Sequence, residues 1–525
     1  MENSHVNSNF TSIGGDAFEG YIGASGSGGG IYIDGGTLTL RSSSVNKNAT
    51  AVDSFGECFG YRGRFGSGGS GGGIWASKVT FILESSIVNE NSIGKSCGGS
   101  DGGSGGGIYA TSSVKLTLIQ TTVSKNIAGS GSITDGVEIG YGGSGGGIYS
   151  GGDVTIERST ISGNVAGNGA PAAPDGVLGN DGGFGGGICV KNAMLAMKNS
   201  TVSGNAAGDA GPSWSVRGGE GGSGGGIYAT KLTLQNCTIT DNVAGKAEVM
   251  GGGAGEGGGI YVVSGQFFQN NIIAGNSVDI SAQHSDDCYG SFFSCGYNLI
   301  GDPTGCNSVE DPDGCSFIRY GYKELVGSDA NPLNPSLAPL ADYGGPTQTH
   351  ALIKESQAVD TGICIFTTDQ RGLPRPTDSY GWTVCDIGAY ELIDKTPPES
   401  PTLMLSSDDD TGSNSSDQIT KMSDMTITGT GKNASTVQLY RNGSQISGAT
   451  GIVSDNTFFI DISLTEGIHS LTATQTSING YTSAASSPLT ITVDTAVPRP
   501  PVCSFHRTMT PVSATAITSH RKPRD

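Results

Sequence analysis

The chain has 525 residues, 89 of them glycine, and its 48 acidic side chains outnumber 28 lysines and arginines for a net charge of −20. That balance argues against nucleic acid or an anionic membrane surface as a partner, and no apolar run approaches the ~20 residues of a membrane-spanning helix. Only 14% of residues are charged and 35% are hydrophobic, but the glycines are periodic and the apolar residues alternate, so the first half is read as folded rather than disordered.

Met1 is followed by ENSHVNSN, which resembles the interior of later units such as LRSSSVNKN and MKNSTVSGN. The chain is therefore expected to begin in mid-repeat, with its natural export signal upstream. A GGGI motif then recurs, ending at Ile31, Ile74, Ile108, Ile148, Ile188, Ile227 and Ile260, at spacings of 33 to 43 residues. Each isoleucine is followed by an asparagine: Asn48, Asn91, Asn126, Asn164, Asn205, Asn242 and Asn276. Such a period marks a stacked repeat.

The register can be counted back from each asparagine. Three residues before it stand Val45, Val88, Val123, Ile161, Val202, Ile239 and Ile273. Eight before stand Leu40, Leu83, Leu118, Ile156, Met197, Leu234 and Phe268. Ten before stand Leu38, Phe81, Leu116, Val154, Leu195, Leu232 and, breaking the pattern, Gln266. The last two positions lie two apart, as the inward face of a strand requires.

Each unit thus predicts three short strands, at GIY, LTL and STVS, with the asparagine at a corner that tolerates the left-handed conformation. Strands without a local partner must pair with their counterparts in the next unit. The predicted fold is all-β, a right-handed single-stranded parallel β-helix with rungs ~4.8 Å apart. A plain rung needs about 20–25 residues, and the surplus lies in long Gly-rich loops at one corner. These carry Phe55, Phe59, Tyr61, Phe65, Tyr141 and Trp214. They are expected either to form a contact surface or to stack as a glycine-packed wall.

Three local motifs are set aside. Gly-rich runs occur throughout and no βαβ unit surrounds them, so they do not indicate a dinucleotide site. Gly94-Lys95-Ser96 resembles the end of a phosphate-binding loop, but the required first glycine is Asn89 and no helix follows. GGSDGGSGGG and GNDGGFGGG resemble calcium-binding nonapeptides but occur once per unit rather than in tandem.

From about Ser281 cysteines cluster: Cys288, Cys295, Cys306, Cys315, Cys364 and Cys385. This density suggests disulfides and an oxidising compartment, and the spacings are not those of a metal site. Cys364 with Cys385, and then Cys306 with Cys315, are the expected pairs. Cys189 and Cys237 are expected as small apolar residues, while Cys58 and Cys97 can pair if their loops adjoin. GYNLIGD (296–302), LAPLADYGGPTQTHAL (337–352), AVDTG (358–362), TDQRGLPRP (368–376) and CDIGAYE (385–391) occur in this order. This series resembles the choice-of-anchor Q segment that closes many bacterial parallel β-helix surface proteins. The resemblance implies export and a surface location, without a catalytic motif. The segment is expected to terminate the coil, with Asp369, Arg371, Arg375, Asp386 and Glu391 as a charged network. The alternative makes Asp369 and Asp386 a catalytic pair. His350 is expected as a packed or capping histidine.

After the Pro-rich linker 393–400, residues 401–497 alternate strand and turn as a β-sandwich does, with a hairpin at Asn442-Gly443. The pattern resembles a bacterial Ig-like repeat, from DDDTGSNSSDQIT to VDTAVP. Asp408, Asp409, Asp410 and Asp417, with Asp494, are candidate calcium ligands; a solvated acidic turn is the other reading. The tail, 498–525, is basic and patternless. It is read as a frameshift product that interrupts an Ig-like array, the alternative being a disordered extension. The expected organisation is a β-helix over 1–280, a cysteine-containing cap over 281–392, the linker, the Ig-like domain and the tail.

Two functions fit. One is a secreted or cell-surface adhesin-like protein whose β-helix displays loops to an extracellular glycan or surface protein. The other is a polysaccharide lyase or glycoside hydrolase, which needs carboxylates with Lys, Arg or calcium converging on an outward face. Asp34, Lys78, Glu84, Lys115, Glu157 and Lys198 are scattered in the repeats, which favours the first.

Overall fold

The computed structural model describes residues 1–496 except 12–20, 23–25, 51–63, 66–67, 95, 97–98, 134–139, 173–178, 213–217, 248–251, 279–286, 311–323, 377–383, 394–395, 412–413, 415, 434 and 478–479. Among the described residues every regular element is a β-strand. The chain divides into two compact units at Pro397–Pro398.

The first unit is a coil of parallel strands. The GIY and LTL segments stack in one sheet, the STVS segments in a second. A third side is closed by short strands at Ala49–Thr50 and Ser92–Ile93, continued by single bridges through Ile127, Val165, Ala206, Val243 and Ser277. GIY and LTL are one continuous strand in Ile31–Arg41, Ile74–Glu84, Ile188–Lys198 and Ile227–Gln235. They separate at Ile108–Ala110 and Lys115–Ile119, and again at Ile148–Ser150 and Val154–Glu157.

The expected columns form. Leu40, Leu83, Leu118, Ile156, Met197, Leu234 and Phe268 pair rung to rung in that order. Val6, Val45, Val88, Val123, Ile161, Val202, Ile239, Ile273 and Ile300 form the second column. These side chains make one continuous buried core. At Gln266 the register shifts, and Gly265 stands opposite Leu232 instead. Phe292 needs that room: a Cβ on Gly265 would collide with it, and its ring stacks on Phe268 at 4.2 Å.

The asparagines are buried, and each passes its hydrogen bonds up the coil. Asn126 donates both its backbone N–H (3.0 Å) and its Nδ2 (2.9 Å) to Oδ1 of Asn164, which does the same to Asn205. The ladder is polarised, because each backbone N–H and one Nδ2 hydrogen point to the following rung, while the other Nδ2 hydrogen reaches back to a strand carbonyl, as from Asn126 to Val88 and from Asn164 to Val123. It runs to Asn276 and closes on a carboxylate, Asp287, whose Oδ1 accepts from Asn276 N and Nδ2 at 2.9 and 2.8 Å. At a second corner Ser86, Thr121, Ser159 and Ser200 succeed one another. There Asn271 donates to Asn298, and Asn298 to the Glu324 carboxylate. Both ladders therefore end on an acid at the end where donors accumulate, by the same electrostatics that places carboxylates at helix N-termini.

The left-handed conformation is not on the asparagines, contrary to expectation. It falls on the residue before each: Lys47, Glu90, Lys125, Gly163, Gly204, Asp241 and Gly275 all have positive φ. The asparagine itself stays free to turn inward, and its amide holds the corner.

The arms of the Gly-rich loops pack as a wall. Backbone N–H groups of Gly129, Gly143, Gly167, Gly183, Gly208, Gly222, Gly245 and Gly255 each donate to the glycine before it in this series, the first to Gly103, at 2.8–2.9 Å. Outgoing and returning arms of successive loops alternate along this chain. A Cβ on Gly143 would overlap the Gly103 carbonyl oxygen, so glycine is required by close approach rather than by flexibility.

The described residues of 337–392 lie along the flank of the coil. The outward column Thr160, Thr201, Thr238, Ile272 and Leu299 is buried beneath them. Gln370 joins Thr160, Thr201 and Thr347 at 2.7–3.0 Å, and Thr238 accepts from Ala389 N–H at 3.1 Å. Ile272 and Leu299 enter a separate apolar cluster with Ala351, Leu352, Ile387 and Leu392. Cys364 pairs with Cys385 as expected. Cys306 pairs with Cys288 rather than Cys315, because adjacent rungs bring those two to a Cα separation of 5.3 Å. Cys315, and the pairing of Cys58 with Cys97, lie outside the described residues. Cys189 and Cys237 are free and buried.

The second unit is a sandwich. One sheet holds Met404–Leu405, Asp424–Thr430 and Thr457–Ser463; the other holds Ile419–Thr420, Leu489–Val493, Gly467–Thr476, Thr436–Arg441 and Ser444–Ile452. The predicted hairpin turns at Asn442 and Gly443, both with positive φ. Its core is one apolar cluster, with Asp410, Ser435 and Gln475 among the buried polar residues around it.

Candidate functional site

Three ion pairs run along the coil axis on the outer strand face. Asp34 meets Lys78 at 3.4 Å, Arg41 meets Glu84 at 2.9 Å and Glu157 meets Lys198 at 3.0 Å. Each is an opposite-charge pair between adjacent rungs, and Lys115 lies beside Thr80. None of these groups converges with a second carboxylate on a common point, which is the geometry glycoside cleavage needs.

Beside them runs an aromatic column. Tyr32, Trp75, Tyr109 and Tyr149 stack with centroid spacings of 4.3, 6.5 and 5.0 Å. Tyr228, Tyr261 and Tyr289 continue it at 5.0 and 5.1 Å. The rung between carries Cys189 in this register. There Phe184, which replaces the serine of the other units (Ser104, Ser144, Ser223), brings its ring to 4.9 Å from Tyr228. The column is thus kept by a substitution from the neighbouring strand arm, with Lys191 over both rings. Burial pushes the Tyr149 hydroxyl and the Cys189 thiol each up to about 12, so neither is an acid–base group near neutrality. Because the rings cover one another's faces, the column offers edges rather than faces to a ligand. A groove of about 370 Å³ runs between it and the glycine wall, lined by Asp181, Phe184, Glu220, Tyr228, Glu256 and Tyr261. Of the expected loop aromatics, Tyr141 is exposed. Phe65 lies in the short strand Arg64–Phe65, and Phe55, Phe59, Tyr61 and Trp214 lie outside the described residues.

The charged network of the flank segment is structural. Arg371 holds Asp369 at 2.7 Å and Arg375 holds Glu391 at 2.6 Å. Asp386 accepts from Asp360 N at 2.8 Å and Leu392 N at 2.5 Å. Asp369 and Asp386 are fully buried, so they are not available as a catalytic pair. Burial and the neighbouring Asp386 push Glu391 up to about 7, against the pull of Arg375. His350 is packed as expected: Nδ1 donates to the Ala338 carbonyl and Nε2 accepts from the Ser203 hydroxyl, both at 2.8 Å. Burial lowers its pKa, and Ser203 is itself buried. The pair therefore docks the flank segment instead of offering a nucleophile.

In the sandwich the four candidate ligands are held separately. Asp409 Oδ2 accepts from Thr426 N at 2.7 Å, Asp417 Oδ1 from Ile419 N at 3.2 Å, and Asp408 is exposed. Asp410 is buried; its Oδ2 accepts from Gln418 N at 3.1 Å, while its Oδ1 and the Gln418 Oε1 are buried acceptors without a hydrogen-bond partner. Among the described residues no three Asp, Glu, His or Cys side chains converge as a metal site. Gln418 was not legible as a candidate, since the acidic run drew attention to carboxylates alone. Asp287 and Glu324 were missed because the spacing to the preceding asparagine collapses at the end of the repeats. Phe184 had a visible signal: serine becomes phenylalanine in the one GGGI unit whose aromatic becomes cysteine.

Residues 396–495 match the bacterial Ig-like domain family, which points to a surface-associated protein. No curated protein matches the chain. The disulfides and the Ig-like domain are consistent with an extracellular protein, and among the described residues no helix is long and apolar enough to cross a membrane.

Proposed function

We propose that the protein is a secreted or cell-surface adhesin-like scaffold. In this reading a right-handed parallel β-helix, closed by a choice-of-anchor Q-type segment, presents Gly-rich loops to an extracellular glycan or surface protein, and the Ig-like domain belongs to its attachment. The observation that carries it is the glycine hydrogen-bond chain. It pins both arms of the four loops between Gly129 and Gly255 at the base, so that these loops, leaving one corner, are held at rung spacing. The ion-paired carboxylates Asp34, Glu84 and Glu157 and the buried flank carboxylates support display over cleavage. A glycan array probed with the whole chain, followed by a reducing-end assay on the hits, tests this. Binding without release of reducing ends is expected; release would instead favour the lyase or hydrolase.

Within this reading the Ig-like domain takes calcium at Asp410 and Gln418, whose two orphaned buried oxygens suit a hard cation. Calcium there would tie Asp410 to Gln418. Calorimetric titration with calcium chloride is expected to give a signal that Asp410→Asn abolishes.

A further inference from the structure

A groove of about 690 Å³ opens in the second unit where the two sheets end side by side. Thr457–Ser463 is the outer strand of one sheet and Ser444–Ile452 the outer strand of the other. An outer strand leaves one row of backbone N–H and C=O groups without a ladder partner; Thr457 spends its own on Ser454, at 2.9 Å in both directions, which leaves the stretch from Phe459 to Ser463. In Ser444–Ile452 the pairing slips between Gln438 and Tyr440, and the Gln438 amide donates to the Ile446 and Ala449 carbonyls at 2.9 and 3.2 Å. That bulged stretch, 446–449, is one wall of the groove. Asp424 to Thr426 and Asp461 to Ser463 are the other.

The groove carries Asp409, Asp424 and Asp461 and no cation. Thr426 sits among them, donating its N–H to Asp409 at 2.7 Å and its hydroxyl to Asp461 at 2.8 Å. Asp424 accepts from the Ser463 hydroxyl at 2.6 Å. Asp424 is opposite Ser463 and Asp461 is opposite Thr426, so the two carboxylates are diagonal neighbours, an arrangement that repels unless a cation intervenes. Between residues 398 and 497 ten acidic side chains face three basic ones, so the domain supplies little compensation. Phe459, two positions from Asp461 on the same strand face, is 69% exposed.

We propose that this edge docks an extended cationic strand of a partner protein. The partner's main chain adds along Phe459 to Ser463, its lysines or arginines meet Asp424 and Asp461, and an apolar side chain covers Phe459. The occupant follows from charge and from the free edge together. Three carboxylates select a cation, and a row of open main-chain groups selects a peptide backbone rather than a sugar. The inference concerns the sandwich alone, so it stands or falls separately from the display role of the coil.

The test titrates the full chain with a fluorescein-labelled peptide alternating lysine and threonine around a central leucine, and follows amide exchange. Saturable binding is expected, weakened about ten-fold in the Asp424→Asn, Asp461→Asn double variant, whose amide oxygens still accept from Ser463 and Thr426. Exchange should slow from Phe459 to Ser463, and Phe459→Ser, at an exposed position, should also weaken binding. Equal affinity in the double variant, equal binding of a glutamate-for-lysine peptide, or protection elsewhere overturns the proposal. A gain in peptide affinity on removing residues 498–525 would place the chain's own basic tail in the groove and also overturn it.

Discussion

The coil and the sandwich hold their strands in register by different means. In the coil each residue's neighbour is its own counterpart one rung away, so a whole column of amides can be buried, each satisfying the next. In the sandwich register comes from local hairpins such as the one turning at Asn442-Gly443, and the strands close on a single apolar cluster. The difference teaches why so glycine-rich a chain folds. A stacked architecture replaces much apolar burial with satisfied backbone and amide ladders, and a defect in one rung is felt chiefly by the rungs on either side.

That contrast can be broken by mutation. Asn164→Ala leaves Asn126 N–H and Nδ2 without their acceptor and Val123 O without its donor, a loss of about 4 kcal/mol. Urea unfolding should show it in the coil transition alone. Leu471→Ala, in the sandwich core, should cost about 3 kcal/mol and move only the sandwich transition. If either variant shifts both transitions, the two units are not independent.

Acid and base sharpen the comparison further. Burial pushes Asp287 up to about 6 from an ordinary 3.8. The folded state therefore holds a proton that the unfolded state has released. This contribution is complete below the unfolded value and is lost as pH rises through about 6. Over that range the wild-type coil should lose about 2–3 kcal/mol relative to Asp287→Asn, with no counterpart in the sandwich transition. Phe184→Ser should cost about 1 kcal/mol by removing a ring from the aromatic column, and adding Cys189→Tyr should restore it. Smallest of all, Glu157→Gln should cost under about 1 kcal/mol and nothing measurable in high salt.

Much of the coil was legible because its period places like residues at like positions. Val45, Val88 and Val123, or Leu40, Leu83 and Leu118, needed only counting. The left-handed corners were not legible, since Lys47, Glu90 and Lys125 lack the glycine or asparagine that usually marks them. The Cys288–Cys306 pairing depends on which rungs adjoin, and sequence separation does not carry that. The flank segment was expected at the end of the coil, yet Thr160, Thr201 and Thr238 form a hydroxyl seam beneath it. Serines and threonines recur at these positions in uncovered rungs too, so nothing distinguished a buried one. In the sandwich the acidic run pointed to the right turn, but only side-chain placement separated Asp410 from Asp409 and Asp417.

The coil is built with one rung per repeat, stacked in register. Spin labels on genetically encoded side chains at Thr39 and, in turn, Thr155, Ala196 and Thr233 test it, because these positions are three, four and five rungs apart in one outward column. Electron–electron distances are predicted to rise by about 4.8 Å per rung, near 14, 19 and 24 Å. Distances that fail to increase in even steps along this series would contradict the stacked coil.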